Sequence, residues 1–133
     1  MNREFIQIPH EISDLLIAKI KNIGREMFLY FIGGCLSLFV LIFIMDSFSK
    51  TIRFTVAFIT GLFLWLPVIG GFLEKKNILA DLKSGEMYII KKFTKTNSGY
   101  QINGKYYEPI IENINNAKVL YILPISRYIA GFE

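Results

Sequence analysis

The chain has 133 residues, 53% of them hydrophobic, with a formal net charge of +4 and a single cysteine. One cysteine excludes a disulfide framework or a thiolate metal site within one chain. The charge is mild and divides as 0, +1 and +3 among residues 1–26, 46–53 and 74–133, which favours attraction to an anionic membrane surface over nucleic-acid binding. We expect neither DNA nor RNA as a partner.

Residues 1–26 do not have the form of a cleavable signal, because they are long, partly acidic and lack a small-residue cleavage pattern. Apolar side chains recur there at helical spacing from near Pro9, which predicts an amphipathic helix. The helix either lies along the inner membrane surface as a lever or interfacial sensor, or covers an apolar face of the C-terminal domain. We favour the cover, because a domain of about sixty residues is small for independent folding.

Two apolar runs, residues 27–45 and 54–73, contain no Asp, Glu, His, Lys or Arg. About twenty residues rising 1.5 Å each match the roughly 30 Å hydrocarbon core of a bilayer, so the runs predict a transmembrane hairpin over residues 27–73. Each run holds twelve Leu, Ile, Phe or Val residues, which favour insertion by roughly 4–7 kcal/mol. Small residues four positions apart, Gly33 with Ser37 and Ala57 with Gly61, predict close helix packing within the hairpin or between subunits.

Lysine and arginine residues predict the orientation of the hairpin. Six lie just outside the two runs, at Lys19, Lys21, Arg25, Lys75, Lys76 and Lys83, whereas only Lys50 and Arg53 lie in the connecting loop. This asymmetry places both termini in the cytoplasm. Because neither run carries the charged side chains that line ion pathways, a pump or coupled transporter is disfavoured, and the hairpin acts as an anchor or as a membrane disruptor.

Residues 74–133 change character to short runs of β-branched and aromatic residues separated by turn residues. Five strands are predicted, at Met87–Thr94, Tyr100–Ile102, Lys105–Glu108, Ala117–Leu123 and Arg127–Phe132, with a short helical turn over 109–115. Asn103-Gly104 is a strong two-residue hairpin signal. The chain is therefore predicted to be an α+β membrane protein whose cytosolic domain is a small antiparallel β-barrel or rolled sheet.

The C-terminal residues offer little for catalysis. His10 is the one histidine, no triad partner is available to Ser126, and there is no glycine-rich phosphate loop. The carboxylates Asp81, Glu86, Glu108 and Glu112 lie near turns and are expected to be solvated. We therefore predict a protein that is not an enzyme and that has no metal site and no cofactor.

Binding remains. Aromatic and cationic side chains are interleaved on the predicted strands, a mixture that stacks on bases and holds phosphates. The candidate ligand-binding residues are Lys91, Lys92, Tyr100, Lys105, Tyr107 and Arg127. The alternative, which we weigh more heavily, is that the tyrosines are ordinary strand and core residues and that the lysines keep the sheet soluble.

The stretches DLKSGEMYIIKKF, NGKYYEPI and VLYILPISRYIAGFE, following two apolar runs, resemble small bacterial membrane proteins with a cytosolic β-domain. In these, a DLxSG turn opens the sheet and an LPxSR turn precedes the last strand. The plan is also similar to membrane effectors of cyclic-nucleotide antiviral (CBASS-like) systems. That resemblance implies antiviral defence, a β-domain that binds a cyclic nucleotide, and oligomerisation of the spans that damages the inner membrane.

Three functions stay open on the sequence. The first is a homo-oligomeric inner-membrane effector or sensor that binds a nucleotide signal or a protein partner and perturbs the bilayer. The second is a constitutive scaffold or accessory subunit of a membrane complex. The third is an immunity protein against a membrane-active toxin.

Overall fold

A computed structural model describes residues 4–111, 114 and 116–133. Two α-helices, α1 (His10–Ile44) and α2 (Lys50–Ser84), are joined by a 3-10 turn at Met45–Ser47. The seven strands are β1 (Phe5–Gln7), β2 (Glu86–Ile90), β3 (Thr94–Thr96), β4 (Gly99–Ile102), β5 (Lys105–Pro109), β6 (Leu120–Leu123) and β7 (Tyr128–Phe132). The α+β class predicted from the sequence is confirmed. The chain divides into two compact units, residues 20–75 and residues 1–19 with 76–133.

Both helices are longer than the apolar runs that predicted them. Each has 35 residues, which corresponds to a length of about 52 Å. Their most apolar windows are only 6% buried within the protein. A core helix of a soluble protein would bury most of such a window, whereas these two helices are long and apolar enough to span a membrane.

Within the unit of residues 20–75, the helices pack as an antiparallel pair through small residues. An added Cβ at Gly34 would lie 2.8 Å from Trp65 Nε1, and one at Gly61 would lie 3.7 Å from a Leu38 methyl carbon. The Phe31 and Trp65 rings stack with their centroids 6.2 Å apart. The contacts therefore follow one register, in which residues near 34 oppose residues near 65.

The turn between the helices is held by one arginine. Arg53 donates from Nη1 to the Asp46 carboxylate at 2.9 Å, from Nη2 to the Asp46 carbonyl oxygen at 2.6 Å, and from Nε to the Phe48 carbonyl oxygen at 3.0 Å. The first turn of α2 is capped by the Ser49 hydroxyl, which accepts from the Ile52 amide. The short loop predicted from the sequence is thus an ordered connection.

The strands form a single mixed sheet in the order β1-β2-β6-β7-β5-β4-β3. All neighbouring pairs are antiparallel except β5 and β7. The predicted Asn103-Gly104 hairpin is confirmed between β4 and β5, with φ values of 50° and 77°.

The predicted small antiparallel β-barrel or rolled sheet of about five strands is corrected in strand number, strand direction and closure: over the described residues the sheet has seven strands, is mixed and does not close into a barrel. The predicted strand at Met87–Thr94 is divided between β2 and β3, and β1 comes from the N-terminal segment. The edge strands β1 and β3 have three residues each, which is too little backbone for a continuous closing ladder. Of the predicted helical turn over 109–115, residue 109 belongs to β5 and residues 110 and 111 form a bend, whereas residues 112, 113 and 115 lie outside the described residues.

The first turns of α1 belong to the same compact unit as the sheet. Leu16 of α1 and Ile78 of α2 are fully buried there, and Lys19 Nζ lies 4.1 Å from the centroid of the Tyr128 ring of β7. These contacts agree with the cover role for the start of α1. The core of this unit consists of Tyr100, Ile102, Tyr107, Ile114, Leu120, Ile122 and Ile129.

Candidate functional site

A cleft of about 500 Å³ lies in the sheet unit. Strand β2 and the residues after it form one wall, the β4–β5 hairpin forms the other, and β6 contributes to the floor. The lining residues are Glu4, Tyr88, Ile89, Ile90, Lys91, Lys92, Ile102, Asn103, Lys105, Tyr107, Ile122 and Pro124.

The floor of the cleft is part of the hydrophobic core. Ile102, Tyr107 and Ile122 are at most 7% exposed, whereas Tyr88 and Ile90 are half-buried and pack against them. Tyr88 lies opposite Ile122 in the β2–β6 ladder, so the antiparallel pairing sets this part of the surface. The floor therefore presents aliphatic and aromatic atoms to whatever enters.

The rim is basic. Lys91, Lys92 and Lys105 line the opening with a single carboxylate, Glu4. Glu4 Oε2 lies 3.9 Å from Lys91 Nζ, and both side chains are about two-thirds exposed. Within the part of the chain that the structure describes, no ion pair engages Lys92 or Lys105. A ligand with negative charge is thus attracted to the opening.

A second depression shares three lining residues with the cleft, Lys91, Lys92 and Asn103. It is also lined by Lys118, Thr94, Gln101, Phe93 and Ala117. A ligand larger than the cleft could therefore extend into this depression and meet a fourth lysine, Lys118.

The structure brings together four of the six predicted ligand-binding residues. Lys91, Lys92, Lys105 and Tyr107 all line the cleft. Tyr107 is only 7% exposed, so it contributes to the floor as a core residue.

Tyr100 and Arg127 lie elsewhere. Tyr100 is 4% exposed, and its hydroxyl donates to the Ile114 carbonyl oxygen at 2.9 Å, which marks it as a core residue. Arg127 lies in the turn after β6, at the opposite end of that strand from Leu120, which pairs with Ile90 beside Lys91. Neither Tyr100 nor Arg127 lines the cleft.

The expectation that Asp81 is solvated is wrong. Its side chain is fully buried and accepts three hydrogen bonds from the turn between β6 and β7. The Ile125 amide donates at 3.1 Å, the Ser126 amide at 2.6 Å and the Ser126 hydroxyl at 2.5 Å. A buried carboxylate is stable in such a site because backbone and hydroxyl donors replace the water that it loses.

The Asp81 site joins the two turns quoted in the sequence, DLKSG and LPISR. The Asp81 carbonyl oxygen accepts from the Ser84 hydroxyl and from the Gly85 amide, which ends α2, and Gly85 has a φ of 71°. On the other side, the Arg127 amide donates to the Leu123 carbonyl oxygen, and Arg127 has a φ of 60°. The presence of both motifs in one sequence was the signal that could have led to this site. Composition alone did not indicate that the two turns contact each other.

Of the predicted helix-packing residues, Gly61 contacts Leu38, and Ala57 is half-buried. Ser37 is exposed, and a Cβ at Gly33 would meet nothing within 4 Å. The tight contact is made one residue later, at Gly34 against Trp65.

Three comparisons, with protein-family models, with curated proteins and with solved structures, give no match to this chain.

Proposed function

We propose that this protein is a non-enzymatic membrane-anchored sensor. The apolar hairpin inserts into the bacterial inner membrane with both termini in the cytoplasm, and the cytosolic sheet binds a small anionic ligand in its cleft. The observation that carries the proposal is the combination of a three-lysine rim with an apolar, aromatic floor. A nucleotide is the candidate ligand that combines both kinds of group.

The surface chemistry of the helices supports membrane insertion. Phe54, Phe58 and Phe63 are about 70% exposed, and large apolar side chains are also exposed elsewhere on both helices. Residues 54–73 contain no ionisable side chain that would favour contact with water. Apolar patches beyond a few hundred Å² are rare on soluble monomers. A bilayer removes this surface from water.

The dimensions of the cleft support a small ligand. Its volume of about 500 Å³ falls within the range of about 300–1,000 Å³ that ligand sites occupy. Phosphate oxygens of a nucleotide would meet Lys92 and Lys105 at the rim, while Tyr88 offers a partly exposed ring to the base. Binding would then favour oligomerisation of the hairpins, which perturbs the bilayer.

The test uses the full chain in phosphatidylcholine nanodiscs. A panel of linear and cyclic nucleotides is titrated against the wild type, Lys92→Ala and Lys105→Ala. A matched variant, Lys50→Ala, removes a lysine from the start of α2 instead. We expect at least one nucleotide to raise the melting temperature of the sheet. Either cleft variant should weaken binding at least fivefold, and Lys50→Ala should not.

A second assay measures dye release from vesicles that carry the protein. Release that depends on the nucleotide supports the effector role. Absence of any nucleotide binding, together with a stoichiometric protein that co-purifies with the chain, would replace the sensor by the scaffold or accessory subunit.

A further inference from the structure

Strand β1 pairs with β2, whose residues line the cleft, and Glu4, directly before β1, lines the cleft as well. The strand is held only lightly. Its three residues are all exposed, with Phe5 53% and Ile6 38% accessible. It pairs with β2 alone, through the register Phe5↔Tyr88, Ile6↔Met87 and Gln7↔Glu86. An edge strand of three residues without a buried side chain is among the first elements to open in a folded protein.

Some of the contacts that hold β1 and the preceding Glu4 involve residues of the cleft. The Phe5 ring meets the Tyr88 ring edge-on with centroids 4.9 Å apart, and the Ile89 amide donates to the Glu4 carbonyl oxygen at 3.2 Å. The Glu4 carboxylate lies 3.9 Å from Lys91 Nζ. Tyr88 and Lys91 are also lining residues of the cleft, so a ligand and β1 share these two partners.

Glu4 places a negative charge on one of the three rim lysines. An ion pair that is long and exposed to water is weak. A phosphate group that reaches two or three lysines at once carries more charge and makes more hydrogen bonds than one carboxylate. An incoming anion can therefore displace the Glu4 carboxylate from its ion pair with Lys91.

We propose that β1 is a displaceable strap, in which Glu4 occupies Lys91 until an anionic ligand replaces it. This inference rests on the proposed function, because it concerns the regulation of the same cleft. After β1 the chain continues through Ile8, whose amide donates to the Gly85 carbonyl oxygen at 2.9 Å, and then enters α1 at His10. Release of β1 thus frees the residues directly before α1, which gives the bound ligand a route to that helix.

The experiment uses inorganic tripolyphosphate as the probe, because it carries negative charge without a base. Binding to the full chain in phosphatidylcholine nanodiscs is measured by calorimetry for the wild type, Glu4→Gln and Glu86→Gln. Glu86 pairs with β1 in the same ladder but does not line the cleft, so it is the matched control. We expect Glu4→Gln to bind two- to fivefold more tightly than the wild type, and Glu86→Gln to bind like the wild type.

Hydrogen exchange supplies a second readout. The Ile89 amide bonds to Glu4, so tripolyphosphate should accelerate its exchange at least threefold, while the Glu108 amide, which donates to the Arg127 carbonyl oxygen, should not change.

The outcomes separate the two proposals. If Lys105→Ala weakens tripolyphosphate binding but Glu4→Gln does not strengthen it, the strap is refuted and the cleft remains a binding site. If no variant binds tripolyphosphate or any nucleotide, both proposals are refuted.

Discussion

The helical pair and the sheet place their apolar side chains in opposite directions. On the helices the large apolar residues point away from the protein, and their most apolar windows are 6% buried. In the sheet unit Leu120, Leu123 and Ile129 are fully buried, and the lysines remain at the surface. The difference shows that the sheet unit has a core of its own, whereas the large apolar side chains of the helices remain uncovered in the described residues.

The largest expected effect is the loss of stability when a large apolar side chain in the sheet core is cut to alanine, compared with the same change on the surface of the helices. Leu120→Ala leaves a cavity in the core of the sheet and should lower its free energy of unfolding by about 2–5 kcal/mol. Phe63→Ala removes a ring that is 71% exposed, and it should change unfolding in detergent by less than about 0.5 kcal/mol. Chemical denaturation followed by tyrosine circular dichroism measures both. Equal losses would contradict the comparison.

Next in size is the loss of the buried carboxylate. Asp81→Ala removes the acceptor of three hydrogen bonds and leaves their donors unsatisfied, so the sheet should lose about 2–4 kcal/mol. Glu108→Ala, which removes an exposed carboxylate, is the control. The helical circular dichroism signal should persist when the sheet unfolds, and its simultaneous loss would show that the two regions are not independent.

A smaller effect is expected where the helices meet. Gly34→Leu drives a side chain into Trp65 and should destabilise the pair by about 1–3 kcal/mol. Gly33→Leu adds the same side chain where nothing lies within 4 Å of the new Cβ, so it serves as the control. Fluorescence of Trp65, the one tryptophan, reports the change. If Gly33→Leu destabilises the pair as much as Gly34→Leu does, the helix contact does not lie at Gly34.

The smallest expected effect concerns pH. A hydrogen bond to the Glu133 carboxylate, partial desolvation and the negative charge of Glu133 raise the pKa of Tyr121 above its ordinary value of 10.0. The folded state thus favours the neutral phenol. This contribution is complete below pH 10 and is lost as the pH rises through the raised pKa of the folded state. Above pH 10 the melting temperature of the wild type should therefore fall more steeply than that of Tyr121→Phe. Parallel curves of melting temperature against pH would refute this prediction.

Features set by neighbouring residues were predictable. The two apolar runs indicated the helices because insertion depends on composition over about twenty residues. Asn103-Gly104 indicated its hairpin because both residues tolerate positive φ. Lys91, Lys92 and Lys105 were named as candidates from their charge and their places in predicted strands, although β2 ends at Ile90, before the first two.

Features set by distant residues were not predictable. Strand β1 has three residues and pairs with a segment some eighty positions later, so no local period marks it. Asp81 looked like a turn residue, because its donors follow 44 and 45 positions along the chain. The open sheet was unpredictable for the same reason. Whether a sheet closes depends on the positions of its two edge strands, and these follow only from the complete strand order.

The separation between Asp81 and Ser126 also bears on biosynthesis. While the ribosome adds residues 82–124, the end of α2 exists without the donors that its carboxylate requires. Both helices are complete by then, whereas the sheet unit still lacks β7 and the turn that supplies the donors, so this unit is the last to complete its fold. Premature termination before Ile125 would consequently leave both helices intact and the Asp81 carboxylate without its three hydrogen bonds.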